Sequence, residues 1–302
     1  MQIRHNISTY SISWLASSYD PMTAKGKIDN YYIPECLEEL KAICLDMTRN
    51  KVPFRIVGHT SNIYFHPQTN ICNLISTRKV NKWHLDGNTL TCDCGVNVRS
   101  LARAMIEKGI EGFAGMIDLP GTVGGAIYGN SSVSHYSVSG LIDTVTILTN
   151  KGEIITLTQK DLGFQFRSSV LKRHELNGTI LSCTLRINKG ECAQERQTAV
   201  IVHEWRKKNQ PGPLNNLGTT MILGKRTKFG LILAAIAKVL YILRKDKTDF
   251  ILKKSGGGIL TPYVFGLNRY MWKDAHAHDL FHRYLEVIKK LYISPKLEIE
   301  IW

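Results

Sequence analysis

The sequence predicts an α+β fold, in which helices and strands are mixed along the chain. Three observations lead to this prediction. Segments with helical spacing of apolar residues are interspersed with segments in which apolar and polar residues alternate, as they do in half-buried strands. Short turns that contain glycine separate these segments. The 302 residues, 43% of them hydrophobic, are enough to bury a large core and favour two or three domains.

The first 190 residues are predicted to form helices and strands joined by polar turns. Helical spacing covers residues 33–49 and 98–108, and Gly109 ends the second helix. Alternating patterns predict strands at 51–57, 63–65, 89–94, 142–148, 153–157 and 179–187. The turn Asn150-Lys-Gly152 joins two of them as a hairpin.

The remaining residues are predicted to be richer in helix. Helices are expected near 194–208, at 228–244 and at 276–292, with loops at 210–213 and 255–258 and an alternating terminal strand at 297–302. A charged segment begins at Lys189. We therefore expect two domains, residues 1–200 and 201–302, and a division of the first into two subdomains near residue 75.

Charge and cysteine content narrow the choice of ligands. Lysine plus arginine exceed aspartate plus glutamate by 39 − 25 = 14, so the surface should attract anions. Neither a nucleic-acid recognition signature nor a basic tail accompanies this excess, and we expect no nucleic-acid partner. A phosphorylated small molecule, an anionic membrane surface and a plain solvated basic surface all remain open. The seven cysteines lack paired metal-ligand spacings and are expected to be reduced thiols, with no metal bound.

Hydrophobic runs give no sign of a membrane span or a signal peptide. The apolar helix at 228–244 is short for a span and contains Lys238, so we interpret it as a buried domain helix. Peripheral membrane contact through this helix is the alternative. We expect a cytoplasmic protein, and the sequence makes no prediction of its oligomeric state.

A glycine-rich run from Asp118 to Asn130 is the most specific feature of the chain. Within it, Gly121, Gly124 and Gly125 allow backbone N–H groups to approach an anion, Thr122 offers a hydroxyl, and Pro120 stiffens the entry. The spacing matches neither the dinucleotide fingerprint of a Rossmann fold nor the P-loop. A phosphate-binding turn and a tight turn between packed elements are both consistent with it.

A second polar turn, Gly58-His-Thr-Ser-Asn62, lies in the same predicted domain. Two such turns could meet both halves of a pyrophosphate with backbone and hydroxyl donors. Arg167 stands among aromatic residues in the segment 164–170, where a guanidinium can bind a carboxylate through two hydrogen bonds. An ordinary surface ion pair is the alternative role for Arg167.

These segments together carry a family resemblance. The run Leu119–Asn130, the turn Gly58–Asn62 and the segment Phe166-Arg-Ser-Ser-Val-Leu-Lys172 resemble the UDP-N-acetylenolpyruvoylglucosamine reductase family, also called UDP-N-acetylmuramate dehydrogenases. The resemblance covers about residues 33–187 and implies a two-subdomain FAD-binding fold of the p-cresol methylhydroxylase type. It assigns Arg167 to the active site and the following residues to FAD: Gly58, His59, Thr60, Ser61, Asn62, Pro120, Gly121, Thr122, Gly124, Gly125 and Asn130.

The second half resembles the family at fewer positions. Residues 216–221 are similar to the family segment in which a serine donates a proton, and Thr219 stands at that serine position. The terminal Leu297-Glu-Ile-Glu-Ile301 is similar to a motif whose second glutamate assists catalysis, which indicates Glu300, although Ile299 replaces the usual proline. Between these anchors the family's substrate-domain signature is not recognisable. Residues 201–302 are thus expected to form a smaller α+β substrate-binding domain.

The resemblance implies an enzyme that uses FAD and NADPH to reduce the enolpyruvyl group of a UDP-linked amino sugar. Arg167 would stabilise the charge that develops on the substrate carboxylate, Thr219 would donate a proton, and Glu300 would relay protons. Two alternatives remain open: an FAD-dependent oxidoreductase for another anionic sugar in surface-polysaccharide synthesis, and a non-catalytic flavin-binding or membrane-docking relative. His59 stands where the family usually has glycine, and a covalent link to FAD through it is a further alternative.

Overall fold

A computed structural model describes residues 5–6, 27–65, 69–133, 136–209, 219–242, 247–265, 267, 269–270 and 276–302. The chain divides into two compact units. The first comprises Met1–Thr9, Ile28–Thr60 and Asn70–Lys208, and the second comprises Tyr10–Lys27, Ser61–Thr69 and Asn209–Trp302. Each unit has its own hydrophobic core. The predicted α+β class is confirmed.

The helices follow the predicted periodic segments closely. They are α1 Leu37–Arg49, α2 Val98–Glu107, α3 Val123–Tyr128, α4 Cys192–Asn209, α5 Lys228–Ile242, α6 Lys247–Lys254 and α7 His276–Leu291. Among the described residues, the 3₁₀ turns Ala114–Met116, Val138–Gly140 and Gly258–Tyr263 accompany them. The helix α6 was not predicted, because its eight residues carry too little hydrophobic periodicity.

The strands are more numerous and often shorter than the sequence suggests. They are β1 His5–Asn6, β2 Lys27–Tyr32, β3 Arg55–Val57, β4 Ile63–Tyr64, β5 Asn70–Ser76, β6 Trp83–Asp86, β7 Thr89–Asp93, β8 Ser132–Val133, β9 Tyr136–Ser137, β10 Ile142–Thr149, β11 Ile154–Thr158, β12 Gly178–Arg186, β13 Met221–Ile222, β14 Val264–Phe265, β15 Arg269–Tyr270, β16 Lys296–Leu297 and β17 Glu300–Ile301.

The first unit contains two main sheets. One has the strand order β1-β2-β5-β3, and the other has the order β11-β10-β12-β7-β6. The second sheet is antiparallel throughout, and the predicted hairpin of β10 and β11 pairs Leu148 with Ile154. The chain passes from one sheet to the other between Ser76 and Trp83, next to the predicted subdomain division near residue 75.

The second unit is organised around α5, α6 and α7. Its core contains an aromatic cluster in which the ring centroids of Tyr270 and Tyr284 lie 5.0 Å apart and those of Tyr270 and Phe281 lie 5.3 Å apart. Only short strand pairs accompany these helices: β13 with β16, β14 with β15, and β17 parallel to β4.

Two sequence predictions need correction. The terminal segment is not one strand, because β16 pairs with β13 while β17 pairs with β4. The segment 51–57 becomes a strand only from Arg55, since Pro53 has no N–H to donate.

The predicted boundary at residue 200 falls inside α4, and the compact units change near residue 208 instead. The assignment of residues 1–200 to FAD and of 201–302 to substrate stays a prediction. The predicted loop at 210–213 lies outside the described residues.

All seven cysteines are free thiols, and burial raises the pKa of the Cys44 thiol to about 12. Within the described ranges, no helix combines the length and apolar character that crossing a bilayer requires.

Candidate functional site

The two glycine turns predicted from the sequence lie against each other at Gly58 and Thr122, both in the first unit. An added Cβ on Gly58 would lie only 2.8 Å from Thr122 Cγ2 and closer still to Thr122 Oγ1. Glycine is therefore needed at position 58 for the turns to approach this closely. Gly121 has φ of 111° and Thr60 has φ of 54°, both in the left-handed region, so each turn has a backbone that few residues adopt easily.

Side chains from α2 and from the loop after β5 hold the first turn in place. Arg78 Nε donates to the carbonyl of Gly58 over 3.3 Å, and Asn97 Nδ2 lies 3.1 Å from His59 Nδ1. Asn97 is also the N-cap of α2, where its Oδ1 accepts the N–H of Ser100. Burial, together with the nearby Arg78 guanidinium, lowers the pKa of His59 below its usual value. Both effects favour the neutral imidazole of His59.

The glycines of the second turn have two different roles. The N–H of Gly124 donates to the carbonyl of Cys94, and a Cβ there would lie 3.0 Å from Cys94 Cβ, so Gly124 lets α3 pack closely on the end of β7. The N–H of Gly125 donates to Thr122 Oγ1, the N-cap of α3. A Cβ on Gly125 would meet only this hydroxyl, at 3.4 Å. Gly125 thus borders open space, whereas Gly124 is a packing residue.

The residues at this cradle fit the diphosphate of a flavin nucleotide. Arg78 supplies a cation, the two left-handed positions shape the backbone, and the Thr122 hydroxyl can donate while its oxygen accepts the Gly125 N–H. Gly125 leaves room where a larger residue would project. Of the motifs predicted from the sequence, this pair of turns is brought together most directly by the fold.

The short helix α3 links this cradle to Arg167. Its first residue follows Thr122, and at its other end the carbonyl of Tyr128 accepts the Ser169 hydroxyl over 2.7 Å. Asn130 Nδ2 then donates to the carbonyl of Gln165 over 2.8 Å. Six helical residues span only about 9 Å. One small element therefore fixes both the cradle and the turn that bears the arginine, and the amide of Asn130, predicted to bind FAD, bonds to the Arg167 turn.

Arg167 lies at the tip of a tight two-residue turn. Gln165 and Ser168 exchange backbone hydrogen bonds of 3.0 and 3.1 Å, and Arg167 has φ of 55°. A left-handed backbone at a residue other than glycine is strained and often marks a functional site. The guanidinium carbon lies 5.7 Å from the ring centroid of Phe166, which is 72% exposed. The side chain of Arg167 is thus presented on a rigid backbone beside an exposed aromatic ring.

The other two predicted catalytic residues belong to the second unit. Thr219 is half-buried and directly precedes Thr220, whose carbonyl accepts the N–H of Glu298 over 2.9 Å. The N–H of Glu300 donates to the carbonyl of Asn62 over 2.9 Å, and Glu300 Oε2 accepts the indole N–H of Trp302 over 3.1 Å. The segments that carry Thr219 and Glu300 are therefore neighbours through Glu298.

The turn Gly58–Asn62 begins in the first unit, and its last two residues, Ser61 and Asn62, belong to the second. The side chain of Asn62 donates from Nδ2 to the carbonyl of Glu298 over 3.1 Å. This bond and the one from Glu300 to the Asn62 carbonyl support the parallel pairing of β17 with β4. Asn62, which the sequence assigns to FAD, thus also positions the strand that bears Glu300.

Sequence reasoning missed three polar residues of these sites. Asn97 has a recognisable signal, because an amide before an apolar helical pattern predicts an N-cap. Arg78 has no signal beyond its charge. Arg269 is half-buried in the second unit; burial lowers the pKa of its guanidinium, while the carboxylate of Glu298 acts in the opposite direction. Arg269 lies on β15, and the Tyr270 N–H of the same strand donates to Thr220 Oγ1, next to Thr219. This tertiary contact leaves no pattern in the sequence.

Comparisons with known proteins agree with this architecture. A family model described as an FAD binding domain matches residues 28–158. The UDP-N-acetylenolpyruvoylglucosamine reductase of Clostridium novyi is 25% identical over 220 residues, which cover 72% of this chain and 68% of that protein. The enzyme of the same name from Carboxydothermus hydrogenoformans is 28% identical over 198 residues, which cover 64% of each protein. The match thus spans about two thirds of the length of these relatives.

A solved structure extends the likeness of fold over the whole chain. The UDP-N-acetylenolpyruvylglucosamine reductase from Thermus caldophilus superposes with a TM-score of 0.73 and covers 100% of both chains, at 17% sequence identity. The fold is thus retained in the second unit as well, where the sequence motifs are sparse. The resemblance first seen in the glycine turns is confirmed: residues 28–158 match an FAD binding domain, and the chain is similar to UDP-N-acetylenolpyruvoylglucosamine reductases over about two thirds of its length.

Proposed function

We propose that this protein is an FAD-dependent reductase that uses NADPH to reduce the enolpyruvyl group of a UDP-linked amino sugar, a step in the synthesis of a cell-wall precursor. The observation that carries the proposal is the hydrogen-bonded path from the cradle through α3 to Arg167. It supports placing a cofactor site and a carboxylate-binding cation on one rigid element. The names of the related proteins supply the substrate class.

The cradle residues would hold the cofactor by its diphosphate. Thr122 and the backbone of the turn Gly58–Asn62 would donate hydrogen bonds, and Arg78 would add positive charge. FAD, when bound, supplies hydride transfer, which no amino-acid side chain can perform. The contact of His59 Nδ1 with Asn97 Nδ2 would hold the imidazole in place beside the cradle.

Arg167 would bind the carboxylate of the enolpyruvyl group. Hydride added to the β-carbon of the enolpyruvyl group would leave an electron pair on the α-carbon, delocalised into this carboxylate. A cation fixed in advance would stabilise that charge with little reorganisation until the α-carbon is protonated. The strained turn and its two bonds to the end of α3 support this role, because they fix the backbone of Arg167 before substrate arrives. Phe166 would shield one face of the guanidinium from water.

Thr219 would donate the proton that completes the reduction, and Glu300 would polarise the substrate or relay protons. A threonine hydroxyl can do this chemically, although its methyl group restricts χ1. The indole N–H of Trp302 donates to Glu300 Oε2, and this bond would fix the orientation of the carboxylate. Because such nucleotide sugars are made inside the cell, we also propose a cytoplasmic location.

The test is a pair of measurements on the purified protein. We expect flavin absorbance bands, and we expect NADPH oxidation to accelerate when UDP-N-acetylglucosamine enolpyruvate is added. A protein that shows no flavin bands even after FAD is supplied would refute the cofactor assignment. A yellow protein that oxidises NADPH at the same rate with and without this sugar would refute the substrate and favour another anionic sugar.

A further inference from the structure

The exposed side of helix α5 in the second unit is apolar. Four large hydrophobic side chains lie on it: Phe229 is 43% exposed, Leu231 56%, Ile232 60% and Ile236 44%. We call these four residues the apolar face. Exposed hydrophobic residues are common singly, but four on two turns of one helix form a patch of the kind that marks an interaction site.

The opposite side of α5 is firmly packed. Leu233 and Ala237 are buried in the core of the second unit. Gly230 lies so close to α7 that an added Cβ would come within 3.0 Å of the carbonyl carbon of Leu291 and overlap its oxygen. The N–H and hydroxyl of Thr227 also bond to carbonyls at the end of α7. The apolar face therefore belongs to a helix that already has its core contacts.

Basic residues surround the beginning of α5. Lys225, Arg226 and Lys228 are exposed, and Lys289 and Lys290 are exposed on the adjoining end of α7. Hydrogen bonds hold the two ends together, from the Thr227 N–H to the Leu291 carbonyl and from the Ile293 N–H to the Lys225 carbonyl. We call these five residues the basic rim.

The wider sequence around α5 has the same sign of charge. Residues 224–254 contain nine lysines and arginines and two aspartates, a net charge of +7, which is half of the +14 of the whole chain. Neither end of α5 carries an acidic residue in its terminal turn. The region would repel a second copy of itself and attract an anionic surface.

We propose that the apolar face and the basic rim bind the surface of an anionic phospholipid bilayer. The four hydrophobic side chains would enter the boundary between headgroups and acyl chains, while the lysines and arginines contact lipid phosphates. A nucleic acid would satisfy the basic rim but would leave the apolar face in water, and an acidic protein would need a matching apolar groove. A bilayer satisfies both features at once.

The length of α5 agrees with binding along the surface. Its fifteen residues extend about 22 Å, which is less than the roughly 30 Å hydrocarbon core of a bilayer. Its inner side is already committed to the protein core, so the helix can contribute only one face. This interaction is independent of the proposed enzymatic function, and it would place the protein next to a membrane.

Vesicle flotation tests the proposal directly. The purified full chain is mixed with vesicles of phosphatidylcholine alone, or of equal parts phosphatidylcholine and phosphatidylglycerol, and centrifuged through a density gradient. We expect the protein to float with the phosphatidylglycerol vesicles at least about tenfold more than with phosphatidylcholine alone, and to be released largely by high salt. Equal flotation with both, or none with either, would overturn the proposal.

Matched variants locate the surface. The double variant Ile232→Glu, Ile236→Glu should lose about tenfold or more of the bound fraction. The control, Ile154→Glu with Val200→Glu, changes net charge equally at two exposed apolar residues of the first unit and should bind as the unchanged protein does. An equal loss in both would overturn the assignment to α5.

Two further measurements cover misfolding and self-association. If the apolar-face variant does not fold, as judged by circular dichroism, the double variant Lys225→Glu, Lys228→Glu replaces it. Both lysines are exposed to solvent, so this variant should fold, and it should lose the same fraction of binding to anionic vesicles. Light scattering gives the mass in solution. A dimer of the unchanged chain that dissociates in the apolar-face variant, with no vesicle binding by either, would show that a second copy covers this face and would overturn the proposal.

Discussion

The two compact units differ in how their candidate site residues are held. In the first unit, side-chain hydrogen bonds from Asn97, Arg78, Thr122 and Asn130 fix the cradle and the Arg167 turn. In the second unit, mainly backbone bonds between short strands position Thr219 and Glu300, with one side-chain bond from Asn62, and the main core lies among helices. Side-chain networks require particular residues, whereas short backbone pairings accept many sequences. This difference explains why the motifs are dense in one unit and sparse in the other.

The largest expected effect tests the chemistry assigned to the first unit. Arg167→Ala should lower kcat by about a hundred- to a thousandfold, because charge that develops in the transition state loses its fixed cation. Flavin content should not change. The matched control is Arg186→Ala, which removes an exposed guanidinium that pairs with Asp143. Steady-state kinetics and flavin absorbance check both variants, and a parallel loss of flavin and of turnover in Arg167→Ala would contradict the catalytic role.

The next effect concerns the second unit. Thr219→Val should reduce kcat about a hundredfold by removing the proposed proton donor, and Thr219→Ser should retain activity. Thr220→Val is the neighbouring control. It leaves the buried Tyr270 N–H without its acceptor and should cost about 1–3 kcal/mol of unfolding free energy. If Thr219→Val keeps full turnover, the proton comes from another group and this unit contributes binding only.

Glycine-to-alanine variants separate the two units by flavin content. Gly58→Ala should cost about 1–3 kcal/mol and reduce bound flavin, because its Cβ would overlap Thr122. The loss should be smaller when Thr122 is also changed to Ala. Gly230→Ala crowds the Leu291 carbonyl in the second unit and should leave flavin content unchanged. Gly140→Ala, where no atom lies within 4 Å of the added Cβ, is the control. Loss of flavin in Gly230→Ala would show that flavin binding depends on the second unit as well as on the first.

A smaller effect is expected at Asn130. Asn130→Ala removes the bond to the Gln165 carbonyl and should lower kcat about tenfold with KM for NADPH unchanged, since one hydrogen bond positions the Arg167 turn. Ser169→Ala removes the parallel bond to Tyr128, and the double variant should lose less than the product of the two effects. The exposed Asn150→Ala serves as control. If Asn130→Ala instead lowers flavin content alone, Asn130 acts on the cofactor, as the sequence predicts.

The smallest effect is a dependence of stability on pH. Burial and Arg78 lower the pKa of His59 in the folded state, so the unfolded chain takes up the proton first. The stability that the neutral imidazole provides is therefore complete above the usual histidine pKa of about 6.5 and is lost as pH falls below it. Denaturant unfolding should show a weaker pH dependence in His59→Gln than in the unchanged chain. An identical dependence would mean that other groups control it.

The sequence predicts the first unit better than the second for physical reasons. Apolar residues recur regularly at helical spacing in α2 and at alternate positions in the β10–β11 hairpin, so both are easy to predict. The glycines needed for close packing or an unusual backbone are visible as a pattern at 120–125. The strands β16 and β17 have two residues each, so alternation over 297–302 could not reveal that they pair with different partners. Arg78 and Arg269 act through tertiary contacts, which one sequence does not encode locally.

The hydrogen bonds at the two ends of α3 make the distance along the chain between Thr122 and Asn130 a fixed quantity. A helix turns about 100° with each residue, so one inserted or deleted residue would rotate Asn130 away from the Gln165 carbonyl while the cradle stayed in place. Substitutions within this segment would weaken single hydrogen bonds, but a change of length would break the register between the cradle and Arg167. We therefore expect the number of residues from 122 to 130 to matter as much as their identities.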